Sequence, residues 1–367
     1  MDEIHRAFMQ RALDLARRAK GRTSPNPLVG AVIVKEERVI GEGYHQKAGT
    51  PHAEVHALNA AGEAAKGATL YTNLEPCCHW GRTPPCTEAL IRAGIVQVYV
   101  AEVDPNPSVA GKGVQRLQNA GINVHVGVCR QEASDLNEVH RKYIQTGKPF
   151  VILKTAMSLD GKIATVSGES QWITSEASRQ RGHEVRDAVD AILVGRGTVA
   201  RDNPALTTRL QNREGQDAIR IVLDSHGRTR ADARIFNLDS ESGVIVAVTP
   251  EAPAENIDAL EKAGAEVIIV PVAHGNRVCF ERLMAILGKR EITSVLIEGG
   301  SEINASALAA GIIDKVMCFI APKLIGGQDA VGPIGGLGIR SLSDARNLRR
   351  VSITPMPEHD FLIEGYL

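Results

Sequence analysis

Rings are scarce in this 367-residue chain, which has two Trp, five Tyr and six Phe, 4% of the whole. Proteins that grip single-stranded nucleic acid by stacking its bases need aromatic platforms, and few are available here. An excess of one charge is missing too. The 42 Lys and Arg are matched by 43 Asp and Glu, a formal net charge of −1, so no bulk positive field exists to hold a polyphosphate backbone. No apolar run reaches the ~18–20 residues that span a bilayer; Val29–Val34 and Val267–Val270 are strand-sized. The opening MDEIHRAFMQRALDLARRAK is charged and amphipathic and lacks the apolar core of a secretory signal. An evenly spaced disulfide framework is absent. Cys77, Cys78 and Cys86 crowd together, while Cys129, Cys279 and Cys318 are scattered. These absences predict a soluble cytoplasmic protein with neither nucleic acid nor membrane as partner.

The remainder is ordinary globular composition, 43% hydrophobic and 23% charged, and the length suits two or three domains. Ile4, Phe8, Ala12, Leu15 and Ala19 follow helical spacing up to Gly21. Ser24-Pro25-Asn26-Pro27 is a turn, and Val29–Lys35 and Arg38–Gly43 form a hairpin across Glu36-Glu37. A helix from about Pro51 and strands at Thr69–Leu74, Val96–Val103 and Ile122–Val128, with helices between them, predict a mostly parallel sheet covered on both faces. Thr146-Gly147-Lys148-Pro149 is the linker, dividing the chain into domains 1–146 and 147–367. A second α/β pattern then restarts: Phe150–Lys154, Ala191–Val194, Ile219–Leu223, Gly243–Val248, Val267–Val270, Val295–Ile297 and Phe361–Ile363 are its strands.

Two strings in the first domain carry chemistry: Thr50-Pro51-His52-Ala53-Glu54-Val55-His56 and Glu75-Pro76-Cys77-Cys78-His79-Trp80-Gly81-Arg82-Thr83-Pro84-Pro85-Cys86. Thr50 can cap a helix and Pro51 suits its first turn, which places His52 and Glu54 at a helix start. Where two helix starts open onto one sheet edge, an imidazole and two thiolates converge. Three N/S ligands and one open position suit a catalytic Zn²⁺, with a nearby carboxylate to shuttle the proton. A closed structural site remains an alternative at this point, because His56, Cys78 and His79 are all available as a fourth ligand and His52 and His56 share a helix face. His-x-Glu followed by Pro-Cys and a second Cys is the pattern of zinc-dependent nucleobase deaminases, but here eight residues separate Cys77 from Cys86.

That longer loop, together with Pro25-Asn26-Pro27-Leu28-Val29-Gly30, Gly41-Glu42-Gly43-Tyr44-His45 and Asp104-Pro105-Asn106-Pro107, resembles the bifunctional deaminase–reductases of bacterial riboflavin biosynthesis, the RibD/RibG family. The resemblance implies a cytidine-deaminase-like α/β/α domain in which His52, Cys77 and Cys86 hold one zinc, Cys78 is a spectator and Glu54 is the acid/base. It implies a pyrimidine ribosyl phosphate as substrate, an activated water attacking its amine-bearing carbon, and a pocket lined by Asn26, His45, His79, Arg82, Asp104 and Asn106. A structural turn role for Asn26, pinned between two prolines, is equally open.

Three strings mark the second half: Lys154-Thr155-Ala156-Met157-Ser158-Leu159-Asp160-Gly161-Lys162 with Ser167 to Thr174; Val194-Gly195-Arg196-Gly197-Thr198 through Thr207; and Ser294 to Ile303, with Glu298-Gly299-Gly300 at its centre. Gly-Gly between a strand and a helix lets a phosphate approach backbone N–H groups, although alone it also fits a tight turn and lacks the spacing of a dinucleotide fingerprint. As an ordered set the strings are similar to the reductase half of the same family. That similarity implies a dihydrofolate-reductase-like α/β fold and NADPH as cofactor. Carried over position by position, Ala156, Trp172, Thr198, Asp202, Ser225 and Gly300 contact NADPH. Ser170, Arg186, Leu206, Arg209 and Glu298 contact the ribosyl phosphate, with Lys154 or Asp202 assisting protonation. A homo-oligomer, dimer or tetramer, is also implied. The rivals are a deaminase of tRNA or free bases with an unrelated appended domain, and a non-catalytic zinc module.

Overall fold

A computed structural model describes residues 3–80, 84–107, 109–273 and 275–367. The chain divides into two compact units, Met1–Lys148 and Pro149–Leu367.

The first unit runs α1 (Glu3–Arg17), β1 (Gly30–Lys35), β2 (Arg38–Tyr44), α2 (Ala53–Ala61), β3 (Thr69–Leu74), α3 (Cys86–Arg92), β4 (Gln97–Glu102), α4 (Lys112–Asn119), β5 (Asn123–Val126), α5 (Arg130–Leu136) and α6 (Glu138–Thr146). Strand alternation builds two cores. Ala31, Ile33, Leu70, Val98 and Val100 meet Ala53 and Ala57 of α2, Leu90 of α3 and Leu117 of α4. Val32, Val34, Tyr71, Tyr99 and Ala101 meet Met9 and Leu13 of α1 and Ala133 of α5. Helices therefore cover both faces, as the pattern predicts. The sheet is mostly parallel, as expected, with one reversed strand. In the order β2-β1-β3-β4-β5, β1 is antiparallel to both neighbours, β3, β4 and β5 pair in parallel, and β2 runs in the same direction as they do. Glu36 and Glu37 both take positive φ, 50° and 59°, closing the two-residue hairpin turn that makes β1 and β2 antiparallel. Because β1 opposes β2 on one side and β3 on the other, β2, β3 and β4 all end at one edge of the sheet.

The second unit runs β6 (Phe150–Ser158), α7 (Glu176–Ala188), β7 (Ala191–Gly195), α8 (Arg196–Asp202), β8 (Ile219–Leu223), β9 (Val244–Val248), α9 (Ala254–Lys262), β10 (Ala265–Ile269), β11 (Val272–Ala273), β12 (Arg277–Val278), α10 (Phe280–Lys289), β13 (Ser294–Gly299), α11 (Ser301–Ala309), β14 (Lys315–Ala321), β15 (Arg349–Pro355) and β16 (Phe361–Tyr366). Its main sheet has the order β10-β9-β8-β7-β13-β6-β14-β16-β15. The strands from β10 to β14 are parallel, and β16 and β15 add antiparallel to the last. Buried Val151, Leu193, Ile221, Ile245 and Ile297 on the strands meet Leu283, Met284 and Leu287 of α10 and Ala307 of α11. No helix among the described residues is long and apolar enough to cross a membrane.

Candidate active sites

At the edge where β2, β3 and β4 end, α2 and α3 begin. The expected Thr50 cap does not form: its hydroxyl donates to the Lys47 carbonyl at 2.7 Å. His52 is instead the N-cap of α2 and makes no side-chain cap bond there. Its imidazole turns to the thiols, with Nδ1 3.2 Å from Cys86 Sγ and 3.5 Å from Cys77 Sγ. The backbone N–H of Cys86 donates to Cys77 Sγ at 3.3 Å, and that of Thr87 to the Cys77 carbonyl at 3.2 Å, locking the strand exit to the helix start. The ligand atoms of His52, Cys77 and Cys86 lie within 4.8 Å of one another, and no other such group occurs among the described residues. Four ligands at Zn–S and Zn–N lengths around a tetrahedral centre stand roughly 3.5 Å apart, so the three side chains fit the ion. Neither His56 nor Cys78 joins them.

The electrostatics suit a cation. Cys77 is held down to about 4, chiefly by the Cys86 thiol donating to it and also by His52 and the Cys86 N–H, against the cost of burial. Cys86 is driven well up by that same shared proton and by burial. Glu54 is 3% exposed and lies in the first turn of α2. Burial and the Cys77 thiolate push its carboxyl up to about 7, opposed by His52.

Around this triad the structure brings Asn26 and His45 together. Asn26 Nδ2 lies 3.1 Å from His45 Nε2, and His45 Nδ1 lies 3.2 Å from the Pro51 carbonyl. The His45 ring stands edge-on to His52 at 5.5 Å. Asp104 and Asn106 close a turn beyond β4, the Asn106 N–H donating to Asp104 Oδ1 at 2.8 Å. Burial raises Asp104, opposed by the Asn106 N–H and by His140 and His79 close by. His79 itself is exposed, and Arg82 lies outside the described residues. Two residues that sequence patterns do not single out hold this corner. Glu75 is buried and accepts from the N–H groups of Asp104, Gly111 and Val114 at 3.1, 2.9 and 3.0 Å. His140 of α6 reaches the Pro25 carbonyl through Nδ1 at 3.3 Å.

In the second unit a cavity of about 680 Å³ opens at the C-terminal ends of the parallel strands. Ser170, Thr198, Asp202, Ser225, Glu298 and Gly300 all line it. Gly300 has φ +83°, and a Cβ there would stand 3.2 Å from Thr198 Oγ1, so this strand-to-helix turn needs glycine and leaves the first turn of α11 open to an anion. The size suits a small-molecule cofactor. Ala156, Trp172, Leu206, Lys154, Arg186 and Arg209 are not among the cavity's lining residues. Ala156 sits on β6 opposite Phe319, Leu206 is buried with φ +55°, and Trp172 is 61% exposed with the Arg179 guanidinium 4.6 Å from its ring centre. The charged members gather around Glu298. Arg186 grips that carboxylate with two bonds of 2.7 Å and donates a third, at 3.0 Å, to the Thr207 carbonyl, while Lys154 Nζ stands 4.0 Å away. Burial works to raise Glu298, but Arg186 and Lys154 outweigh it and hold the carboxyl at about 2. His183, three residues before Arg186 on α7, accepts the Arg209 N–H at 3.2 Å. Burial, Arg186 and Arg209 hold its imidazole down to about 4. The i, i+3 spacing of His183 and Arg186 was the available sequence signal for it.

Residues 149–359 match the family model described as the RibD C-terminal domain, and residues 2–102 match the cytidine and deoxycytidylate deaminase zinc-binding region. The chain is 45% identical to the riboflavin biosynthesis protein RibD of Aquifex aeolicus, with 97% of each chain covered. It is 44% identical to RibD of Escherichia coli, covering 92% of this chain and 93% of the other. Among solved structures it is similar to Acinetobacter baumannii RibD, with a TM-score of 0.88, 39% identity and coverage of 100% and 99%. It is also similar to the diaminohydroxyphosphoribosylaminopyrimidine deaminase/5-amino-6-(5-phosphoribosylamino)uracil reductase of Thermotoga maritima, with a TM-score of 0.85, 37% identity and coverage of 99% and 98%.

Proposed function

The chain belongs to the RibD family of bifunctional riboflavin-biosynthesis enzymes, and from that premise we propose how its two sites divide the work. Residues 1–146, the cytidine-deaminase-like part, hydrolytically deaminate 2,5-diamino-6-(5-phosphoribosylamino)pyrimidin-4-one. Residues 147–367, the dihydrofolate-reductase-like part, reduce the resulting 5-amino-6-(5-phosphoribosylamino)uracil to its ribitylamino form with NADPH. The observation that carries the first assignment is the convergence of His52, Cys77 and Cys86 beside buried Glu54.

Zinc held by His52, Cys77 and Cys86 supplies Lewis acidity that activates water at neutral pH. Glu54 accepts a proton from that water at its carboxylate and returns it to the departing ammonia. A carboxyl raised by burial suits both halves of this exchange. Asn26 and His45, joined to each other, orient the ring, and His79, Arg82, Asp104 and Asn106 receive the phosphoribosyl part. Cys78 stays outside the chemistry.

In the second half NADPH supplies the hydride. Thr198, Asp202, Ser225 and Gly300 hold it in the cavity, and Ala156 and Trp172 border the nicotinamide end. Ser170, Arg186, Leu206 and Arg209 bind the ribosyl phosphate, with Arg209 offering its guanidinium fork to the phosphate oxygens and Arg186 contributing its positive charge. Glu298 keeps Arg186 aimed, and Lys154 donates the proton needed where the ribose ring opens. Thiol ligands and a phosphorylated substrate suit the reducing cytoplasm, where we place the enzyme. We also assign it a homo-oligomeric state, through the exposed edge strand β15.

The test is NADPH absorbance over time with zinc-loaded protein and the undeaminated pyrimidine as sole substrate. Steady NADPH loss is expected. Glu54→Gln should slow it by about 10²–10⁴-fold, and supplying deaminated substrate should restore it. No NADPH loss on deaminated substrate would overturn the reductase assignment. Deamination of tRNA or free cytosine without NADPH dependence would favour the nucleic-acid rival.

A further inference from the structure

Two stretches of irregular chain wall the site of the first unit. One is residues 25–28, which carry Asn26 ahead of β1; the other is the turn of Asp104 and Asn106 beyond β4. Neither can be held by a sheet ladder. Pro25 and Pro27 have no N–H to give, and the turn lies past the last pairing of β4, Leu74 with Glu102.

Side chains from α6 and β3 hold them instead. Asn137, 4% exposed, accepts the Leu28 N–H on Oδ1 at 2.8 Å and donates from Nδ2 to the Leu28 carbonyl at 3.0 Å. Asn73 is fully buried on the strand that delivers Cys77. It donates to the same carbonyl at 2.9 Å and accepts the Gly30 N–H at 2.7 Å. The position of Asn26 is thereby referred to the metal-bearing strand on one side and to α6 on the other. His140 Nδ1 stands 3.3 Å from the Pro25 carbonyl and must donate, since a carbonyl only accepts. The same imidazole lies near the Asp104 carboxyl. Its neighbour Arg141 reaches the second wall, donating to both oxygens of Glu102 at 2.7 and 3.0 Å.

Three features set this brace apart from ordinary packing. Asparagine is favoured at an N-cap because its side chain accepts an N–H of the first turn. Asn137 is the N-cap of α6 and makes no such bond; both ends of its amide go to one residue 109 positions away. No residue of α6 itself is buried, so the helix is not anchored by an enclosed apolar side chain of its own. His140 Nε2 is buried without a partner among the described residues, a cost that a phenyl ring in its place would not carry. The bond to Pro25 is what an imidazole adds there.

We propose that Asn137 and His140 are positioning residues for deamination: the first turn of α6 spaces the two walls, aiming Asn26 at the ring and fixing its distance from the turn that takes the phosphoribosyl part. This rests on reading the first unit as the deaminase, and the experiment separates the two claims. Ammonia release from the undeaminated pyrimidine phosphate is followed on the full, zinc-loaded chain, with zinc per chain measured for every variant. His140→Phe should raise KM about tenfold at unchanged zinc content, while kcat falls less than about threefold. His140→Asn places an amide Nδ2 where the ring Nδ1 stood and can still donate to Pro25, so its KM should return to within about threefold of the intact protein. Asn137→Leu, which removes both bonds to Leu28, should lower kcat/KM by about 100-fold in the zinc-loaded fraction. The His140 pair decides the matter even if Asn137→Leu does not fold. A loss of rate that only follows zinc content, at unchanged KM, makes these residues structural and overturns the proposal. So does a His140→Asn protein as impaired as His140→Phe. No ammonia from the intact zinc-loaded protein overturns the deaminase reading, and this proposal with it.

Discussion

At the scale of single residues, the most exposed consequence of the structure is the Glu298–Arg186 pair. Their side chains are 9% and 15% exposed, so neither charge can fall back on water if the other is removed. Glu298→Gln should therefore destabilise the second unit by about 3–5 kcal/mol, read as a shift in its urea midpoint. Glu298→Met/Arg186→Met/Lys154→Met should recover most of that loss while reduction stays abolished, because apolar side chains then replace all three charges of the cluster and none is left unpaired. The pH dependence has a definite sign. The folded carboxyl, at about 2, lies below its ordinary 4.5, so its stabilisation is complete above about pH 4.5 and is lost as pH falls towards 2. An acid titration of the second unit should show that loss, and Glu298→Gln should flatten it. Residues differ in how legible they were beforehand. His52, Glu54, Cys77 and Cys86 stand in short strings whose chemistry is local, whereas Glu75 and His140 act on atoms 29 to 115 positions away, and no local pattern marks such pairs.

At the scale of elements, the catalytic helix depends on a strand that must lack side chains. A Cβ at Gly43 of β2 would come within 2.3 Å of His56 Cβ and 2.8 Å of the Ala53 carbonyl, and one at Gly41 within 2.3 Å of the Ala57 carbonyl. These are mostly backbone contacts, which rotamer changes cannot relieve. Gly43→Ala should push the first turn of α2 away from β2, destabilising the first unit by about 1–3 kcal/mol. It should also lower the zinc bound per chain, measured by metal analysis after dialysis, whereas a substitution that fills open space, such as Gly243→Ala, should leave zinc content unchanged. The β1–β2 hairpin and most strand positions were legible because alternation and turn residues are local signals. The pairing of β1 with β3 was not, since α2 carries the chain from β2 past β1 to β3, and which strand receives it is decided by packing on both faces. The strand Lys315–Ala321 and the edge strand Arg349–Pro355 went unmarked for the same reason. Nothing local distinguishes KVMCFIA from a buried helical turn, and every residue of the edge strand is exposed.

At the scale of the whole molecule, that edge strand leads to the last expectation. The main sheet of the second unit ends at β15, which among the described residues pairs only with β16. An unpaired edge presents N–H and C=O groups to any extended partner, and soluble proteins usually blunt such edges with charge or cover them. Here Val351 and Ile353 are 52% and 63% exposed on the strand itself, and Leu337 and Leu342 are bare in the preceding loop. A second copy offers the same edge in the opposite direction, so antiparallel pairing about a twofold axis satisfies both backbones and covers both sets of side chains. Sedimentation should accordingly give at least twice the chain mass of 39.3 kDa. Ile353→Lys should shift the protein toward monomer, because pairing about the axis would bring two ammonium groups close together across the new interface. Zinc content should not change, since the triad belongs to the other compact unit. A wild-type protein that sediments as a monomer across micromolar concentrations would remove the edge strand as an interface and leave its exposed valine and isoleucine without a physical account.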